Sequence, residues 1–311
     1  MSKTAIFTWI QQGQVPESVA ELATAAKALG ETAACYAFGA DLDDSLAADL
    51  SFDGIDAVHL VNTPGLALCQ SDGLAEAAAQ VMTADGLTTV LLEAEPAGRD
   101  IMSRAAVKVG AGMTSDCTAL EVQDGAIRQI KPSFGAQVMV ACEVKGAPEI
   151  ITMKKGSTAP ADKTAAAPCD VRTVEAASKI TCGKITALPS SDHLTGADVV
   201  VVAGKGAIES GQFETVKAYA DKIGAALAGS RPVADQGFIP FDDQIGESGT
   251  VIQPKLCIIF GVSGAIQFTE GIKGDGTVIA VNNDPNAPIR GFADVFICAD
   301  MGELLVAMNA K

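Results

Sequence analysis

Groups able to hold an anion or an electron-rich ring gather in one stretch, Leu256 to Phe268. The apolar run Leu256 to Phe260 follows Pro254 and stops at Gly261, which suits a short strand buried on both faces. Gly261, Ser263 and Gly264 then form a turn of small residues, and Ala265-Ile266-Gln267 can open a helix. A strand, a glycine-rich turn and a helix start together aim several backbone N–H groups at one spot, where a phosphate or a ring can dock. Many such turns bind nothing, so the turn alone does not define a site. Its neighbours in the chain add chemistry. Ser230-Arg231-Pro232 lies upstream, Gln244 to Gly249 stands just before the strand, and Asn282-Asn283-Asp284-Pro285 and Asp300 follow it. Pro232 fixes the backbone just after Arg231, whose cation is permanent. Lys205 follows another apolar run, Asp198 to Ala203, within Ala203-Gly204-Lys205-Gly206. Read singly, each of these is also a turn former, a solvated cation or a helix cap.

Taken in order and spacing, the pieces resemble the alpha subunit of electron-transfer flavoproteins. The family's C-terminal pattern runs G-S-R-P, Q-[IV]-G-x-[ST]-G, G-[IV]-S-G-A-I-Q-H, [IV]-N-x-D-x-x-A-P-I and V-x-D or similar. Here the stretches are Gly229 to Pro232, Gln244 to Gly249, Gly261 to Phe268, Val281 to Ile289, and Ala299-Asp300. The likeness is close over the C-terminal part and looser elsewhere, for instance at Gly98-Arg99-Asp100 and Thr114-Ser115-Asp116. One departure is plain: the family's His is Phe268 here.

The resemblance implies non-covalent FAD and a set of residues to hold it. It implies that Lys205, where relatives usually carry Arg, lies near the phosphates, and that Arg231, beside Ser230, lies over the flavin ring and favours its electron-rich reduced forms. It implies a polar loop of Gln244, Ile245, Gly246, Glu247 and Ser248, with the Ser248 hydroxyl toward the flavin N5 atom. Gly261, Ser263, Gly264, Ala265, Ile266, Gln267 and Phe268 are implied as flavin and pyrophosphate contacts, largely through backbone N–H groups. Asn282, Asp300 and Met301 are implied along the ribityl–diphosphate and adenosine parts. It further implies a heterodimer with a beta subunit and electron transfer from acyl-CoA dehydrogenases or related flavoenzymes, as in fatty acid beta-oxidation. The chain would be a carrier, with no acid, base or nucleophile of its own, since the cofactor does the redox chemistry.

The elements that must position these groups read as α/β throughout. The 311 residues leave room for two domains with sizeable cores. A formal charge of −16 argues against nucleic acid or an anionic membrane as the main partner. No segment has the length of a membrane span, and the N-terminus lacks a signal or transit pattern, so a cytoplasmic protein without membrane insertion is expected. The eight cysteines never form Cys-x-x-Cys, and only two histidines accompany them. No metal is expected, the thiols are expected reduced, and Cys257 and Cys298 are expected in the core.

In the first half, strands are predicted at residues 4–9, 32–38, 55–61 and 87–94, and helices at 16–29, 72–82 and 98–109, with Asp72 as a cap. This alternation implies a mostly parallel sheet covered by helices. An Asp124-Gly125 turn predicts a hairpin, with strands at 138–144 and 149–153 extending it. Residues from about 154 to 188 read as a linker with one strand near Asp170, His59 as core-edge and His193 as a loop residue. In the second half, a helix is predicted from Glu209 to Leu227, strands at 198–203, 255–260, 277–281 and 294–298, and a closing helix at 302–309. The expectation is two doubly wound domains, 1–188 (similar to adenine nucleotide alpha hydrolases and serving subunit assembly) and 189–311, the latter a flavodoxin-like or Rossmann-like parallel sheet binding FAD. Two other functions fit the same residues. One is a subunit of an electron-bifurcating complex that uses NADH, where the partner subunit carries a second FAD. The other is a non-redox module binding a nucleotide or only a partner.

Overall fold

The computed structural model describes residues 3–134, 138–183 and 192–309. The chain divides into two compact units, Met1–Ile185 and Thr186–Lys311. In the first, the elements are β1 (Thr4–Trp9), α1 (Ser18–Ala28), β2 (Ala33–Gly39), β3 (Ile55–Asn62), α2 (Ser71–Asp85), β4 (Thr89–Glu93), α3 (Pro96–Val109), β5 (Gly112–Cys117), β6 (Ala119–Gln123), β7 (Ala126–Ser133), β8 (Val138–Cys142), β9 (Glu149–Met153) and β10 (Cys169–Thr173). Seven of the strands form one sheet in the order β10-β3-β2-β1-β4-β9-β5, with every neighbouring pair parallel. Side chains alternate across it: Ile6 packs with α1, while Ala5, Phe7 and Trp9 pack with α2 and α3. Both faces are apolar, so the strands read as unbroken apolar runs.

The hairpin β6–β7 turns at Asp124 and Gly125, both at positive φ, as a two-residue loop of this type requires. β8 extends it, but β9 does not: it lies between β4 and β5 in the large sheet. Its adjacent Ile150 and Ile151 are both fully buried, the mark of a central parallel strand rather than of an alternating hairpin strand.

The segment after β9 is no free linker. Ala161 N donates to the Ala20 carbonyl at 3.0 Å and Thr164 N to that of Ser51 at 3.2 Å, and the chain then adds β10 to the far edge of the sheet. There Arg172 makes a forked pair with Asp85 at 3.1 and 2.6 Å. His59 stacks on Tyr36 and pairs with Asp170. Asp72 is not a cap either. Gln70 precedes the helix, and the Asp72 carboxylate binds Ser178 and the Lys179 N–H, two hydrogen bonds that hold it below the usual carboxylate range. Beside it Cys69 and Cys182 form a disulfide, against the expectation of reduced thiols. The pairing joins residues separated by 113 positions, so spacing in the sequence carried no sign of it.

The second unit contains α4 (Asp192–Thr195), β11 (Val199–Ala203), α5 (Lys205–Glu209), α6 (Phe213–Ile223), β12 (Ala226–Gly229), α7 (Arg231–Asp235), β13 (Leu256–Phe260), α8 (Ile266–Thr269), β14 (Thr277–Asn282), β15 (Val295–Cys298) and α9 (Met301–Asn309). The all-parallel order β12-β11-β13-β14-β15 is that of a flavodoxin-like sheet. Val201, Ala203, Ile258 and Phe260 face α6 and α9, while Val200, Val202, Cys257 and Ile259 face Phe268, Ile289 and Ile245.

The long helix expected at Glu209–Leu227 is three elements. Gly224 at φ +67 closes α6, and Ala226–Gly229 becomes the edge strand β12, which leaves Ile223 half exposed. His193 lies in α4 rather than in a loop, with Nε2 3.2 Å from Asp243 Oδ1. Cys257 is buried, which pushes its thiol up to about 12, whereas Cys298 is exposed and not a core residue.

Candidate functional site

A cavity of about 690 Å³ opens at the carboxyl ends of β11, β12, β13 and β14. Its size is within the range of cofactor sites, ~300–1,000 Å³. Its place follows from topology. In this order the chain leaves β11 toward β12 on one side and reaches β13 on the other, so the loops after β11 and β13 part and leave a crevice. Gly204 lets those two loops touch at their base, because a side chain there would lie 2.2 Å from the Gly261 carbonyl oxygen.

The loop after β13 forms the floor, and its polarity is one-sided. The Gly261 carbonyl accepts from Gly206 N at 3.0 Å, that of Ser263 from Ile289 N at 2.9 Å, and that of Gln267 from Glu247 N at 2.7 Å. The Val262 carbonyl accepts from Asn282 Nδ2 at 2.9 Å. With the carbonyls tied into the protein, the N–H groups of Ser263, Gly264, Ala265, Ile266 and Gln267 have no protein acceptor among the described residues. Ser263, Ala265 and Gln267 line the cavity. Gly264 makes this arrangement possible: it has φ +89, and a side chain there would lie 2.2 Å from Ile289 N. Such a row of donors is a fixed positive dipole that suits an anion or the carbonyl edge of a ring.

The remaining walls carry complementary groups. Ser230 and Gln244 are buried, and Gln244 Nε2 donates to Ser248 Oγ at 3.3 Å. The strand β12 and the polar loop are pinned together by Ile245 N, which donates to the Gly229 carbonyl at 2.9 Å. Asp243, next in line, is raised above its usual range by burial, with the His193 charge working the other way. Arg231 and Lys205 supply cations at the rim. Each pairs along its own helix, Lys205 with Glu209 at 2.8 Å and Arg231 with Asp235 at 3.6 Å. All four side chains are more than half exposed or nearly so, and such pairs contribute only about 0–1 kcal/mol. An incoming phosphate or reduced ring can therefore take both cations at little cost. Phe268 is buried in the apolar cluster with Ile245, Val262 and Ile289 and shows its remaining edge to the cavity.

The cavity thus brings together Lys205, Ser230, Arg231, Gln244, Ile245, Gly246, Glu247, Ser248, Gly261, Ser263, Ala265, Gln267, Phe268 and Asn282. It does not include Gly264, Ile266, Asp300 or Met301. Gly264 is turned onto Ile289 and acts by shaping the loop. Ile266 is half exposed. Asp300 caps α9, accepting from Gly302 N at 2.8 Å and Glu303 N at 3.1 Å. Met301 is a core residue under Gly261. Glu209 also lines the cavity, as do Asn283, Asp284, Ala287 and Pro288 of the motif at Val281 to Ile289, to which no individual contact was assigned. The i,i+4 spacing of Lys205 and Glu209 was a visible signal for the first of them.

The donors, cations and hydroxyls present fit FAD. Arg231 and Lys205 would meet its negative charges, the row of N–H groups its phosphates or pyrimidine carbonyls, and Ser248 a ring nitrogen. In the first unit, the Arg99 and Asp116 of the looser motifs pair with each other at 2.7 Å, and Asp100 pairs with Arg104 at 2.8 Å.

Comparison with known proteins points the same way. The model of the electron transfer flavoprotein domain matches residues 7–179, and that of the electron transfer flavoprotein FAD-binding domain matches residues 193–273. The alpha subunit of the electron transfer flavoprotein of Thermoanaerobacterium thermosaccharolyticum is 32% identical over 84% of this chain and 82% of its own. That of Mycobacterium leprae is 30% identical over 97% and 95%. The subunit LctC of the lactate dehydrogenase (NAD(+),ferredoxin) of Acetobacterium woodii is 29% identical over 81% of this chain and 62% of its own. Among the described residues, no helix is long and apolar enough to cross a membrane.

Proposed function

This chain belongs to the electron transfer flavoprotein alpha-subunit family, and on that premise we propose that it binds FAD in the cavity of its second unit and works as an electron carrier with a beta subunit. The observation that carries this reading is the one-sided loop after β13, where the N–H groups of the cavity-lining Ser263, Ala265 and Gln267 have no protein acceptor among the described residues while the carbonyls of Gly261, Val262, Ser263 and Gln267 are bonded away. When bound, FAD supplies the redox chemistry. The chain's own residues bind and tune it. The N–H row and Lys205 hold the diphosphate, Arg231 places a permanent cation beside the ring, and Ser248, oriented by Gln244, gives a hydroxyl to a ring nitrogen. Arg231 and Ser248 favour added negative charge on the ring and in this reading raise the flavin's reduction potential.

The electron source in this reading is an acyl-CoA dehydrogenase or a related flavoenzyme. The likeness to LctC favours a second form of the same role, as a subunit of a complex in which the partner holds a further flavin and meets NADH. Purification of the chain co-expressed with its beta subunit tests the proposal. A yellow heterodimer with extractable FAD, reduced by such a dehydrogenase and its substrate, is the expected result. One FAD per heterodimer fits the simple carrier and two fit the NADH-using form. A colourless pair that takes up no added FAD contradicts both.

A further inference from the structure

We propose that the first unit has a ligand site of its own, which takes a nucleoside rather than a nucleotide. A cavity of about 700 Å³ opens at the carboxyl end of its seven-stranded sheet. The walls are the residues that follow three adjacent parallel strands: Trp9 at the end of β1, Asp41 beyond β2, and Leu66 and Leu68 beyond β3. Open parallel sheets bind their ligands on this side.

The lining selects the ligand class. Trp9, Leu66 and Leu68 give an apolar wall for a flat heteroaromatic base. Trp9 is 6% exposed, and its buried indole N–H has no acceptor among the described residues. Gln12 adds an amide that can donate to and accept from a base edge. Asp41 lies just past the second strand, at φ +54 in the left-handed region, and makes no hydrogen bond or ion pair with another described residue. In dinucleotide folds an acidic residue that follows the first βα turn accepts hydrogen bonds from ribose hydroxyls, and Asp41 is placed to do so. No Lys, Arg or His stands among the described residues lining the cavity, and Asp43 adds a second carboxylate. A phosphate would meet only negative charge there. The second unit's cavity, with Arg231 and Lys205 at its rim, is built for the opposite charge.

Trp9 is the only tryptophan in the chain, so its own emission is the difference between the wild-type heterodimer and Trp9→Phe. Adenosine is titrated into the co-expressed heterodimer, followed by tryptophan emission and by calorimetry. The expected result is a saturable change in emission and in heat, with the heat of binding weakened in Trp9→Phe, and with AMP and 2′,3′-dideoxyadenosine each roughly tenfold weaker or more, from the lost or opposed interaction with the Asp41 carboxylate. Asp41→Ala should lose the same factor for adenosine with FAD content unchanged. No saturable signal with adenosine, guanosine, cytidine or uridine up to millimolar concentration would overturn the proposal. So would AMP displacing adenosine from the Asp41-dependent site as well as adenosine itself does, or a heat of adenosine binding that is unchanged in both Trp9→Phe and Asp41→Ala. The FAD content of the second unit enters none of these readouts, so this inference and the proposed function fail independently.

Discussion

The two units carry the same device with opposite chemistry. Each has an all-parallel sheet with a cavity at its carboxyl edge, of about 700 and 690 Å³. In the first unit the cavity is walled by Trp9, leucines and two carboxylates, Asp41 and Asp43. In the second it is floored by N–H groups of Ser263, Ala265 and Gln267 without an acceptor among the described residues and rimmed by Arg231 and Lys205. The sheets therefore provide the place, and the loops after each strand decide the ligand. The loops differ in one physical respect above others. After β13 the carbonyls of Gly261, Val262, Ser263 and Gln267 are bonded into the protein, and Gly261 and Gly264 supply the left-handed backbone of this turn.

The comparison predicts effects confined to one unit. Gly264→Val should have the largest. It forces a side chain into φ +89 and against Ile289 N, where the backbone conformation alone costs about 1–3 kcal/mol and overpacking a similar amount. FAD content of the purified heterodimer should fall close to zero while the Trp9 emission stays native. Next is Cys69→Ser, which removes the bond to Cys182 and should cost the first unit about 2–4 kcal/mol in a denaturant melt followed by Trp9, with FAD retained. In the unfolded wild-type chain without reductant, the six other cysteines should react with a thiol reagent, and eight after reduction.

Arg231→Ala should weaken FAD by about tenfold to a hundredfold, the value of a hydrogen bond to a charged group, and lower its reduction potential. Equilibrium dialysis and a redox titration measure the two. Glu209→Ala should have the smallest effect and the opposite sign. It frees Lys205 from an exposed pair worth at most about 1 kcal/mol, so FAD should bind up to about fivefold tighter.

Much of this contrast was legible in the sequence, for local reasons. The strands around Val199–Ala203 and Leu256–Phe260 are buried on both faces and bounded by Gly or Pro, and the motifs follow them directly. Fourteen of the implied contacts meet in one cavity because they all sit at or just beyond the carboxyl ends of strands along one sheet edge. What failed was non-local. Ala226–Gly229 has a helical composition but pairs with β11, and nothing nearby in the chain announces that partner. β9 was placed with its sequence neighbours, although its partners β4 and β5 lie further back. The disulfide belongs to the same class, whereas the capping role of Asp300 is local, on Gly302 and Glu303. A residue type shows what a group can do, while its partner depends on how distant segments meet.

The central claim is that FAD occupies the second unit's cavity and not the first's. Ala265 and Leu66 each line one of them. Replacing either by Trp fills that cavity, and the FAD extracted per heterodimer can be counted for both variants beside the wild type. The account predicts one equivalent fewer in Ala265→Trp and no change in Leu66→Trp. Full FAD in Ala265→Trp, or a loss in Leu66→Trp, would contradict it.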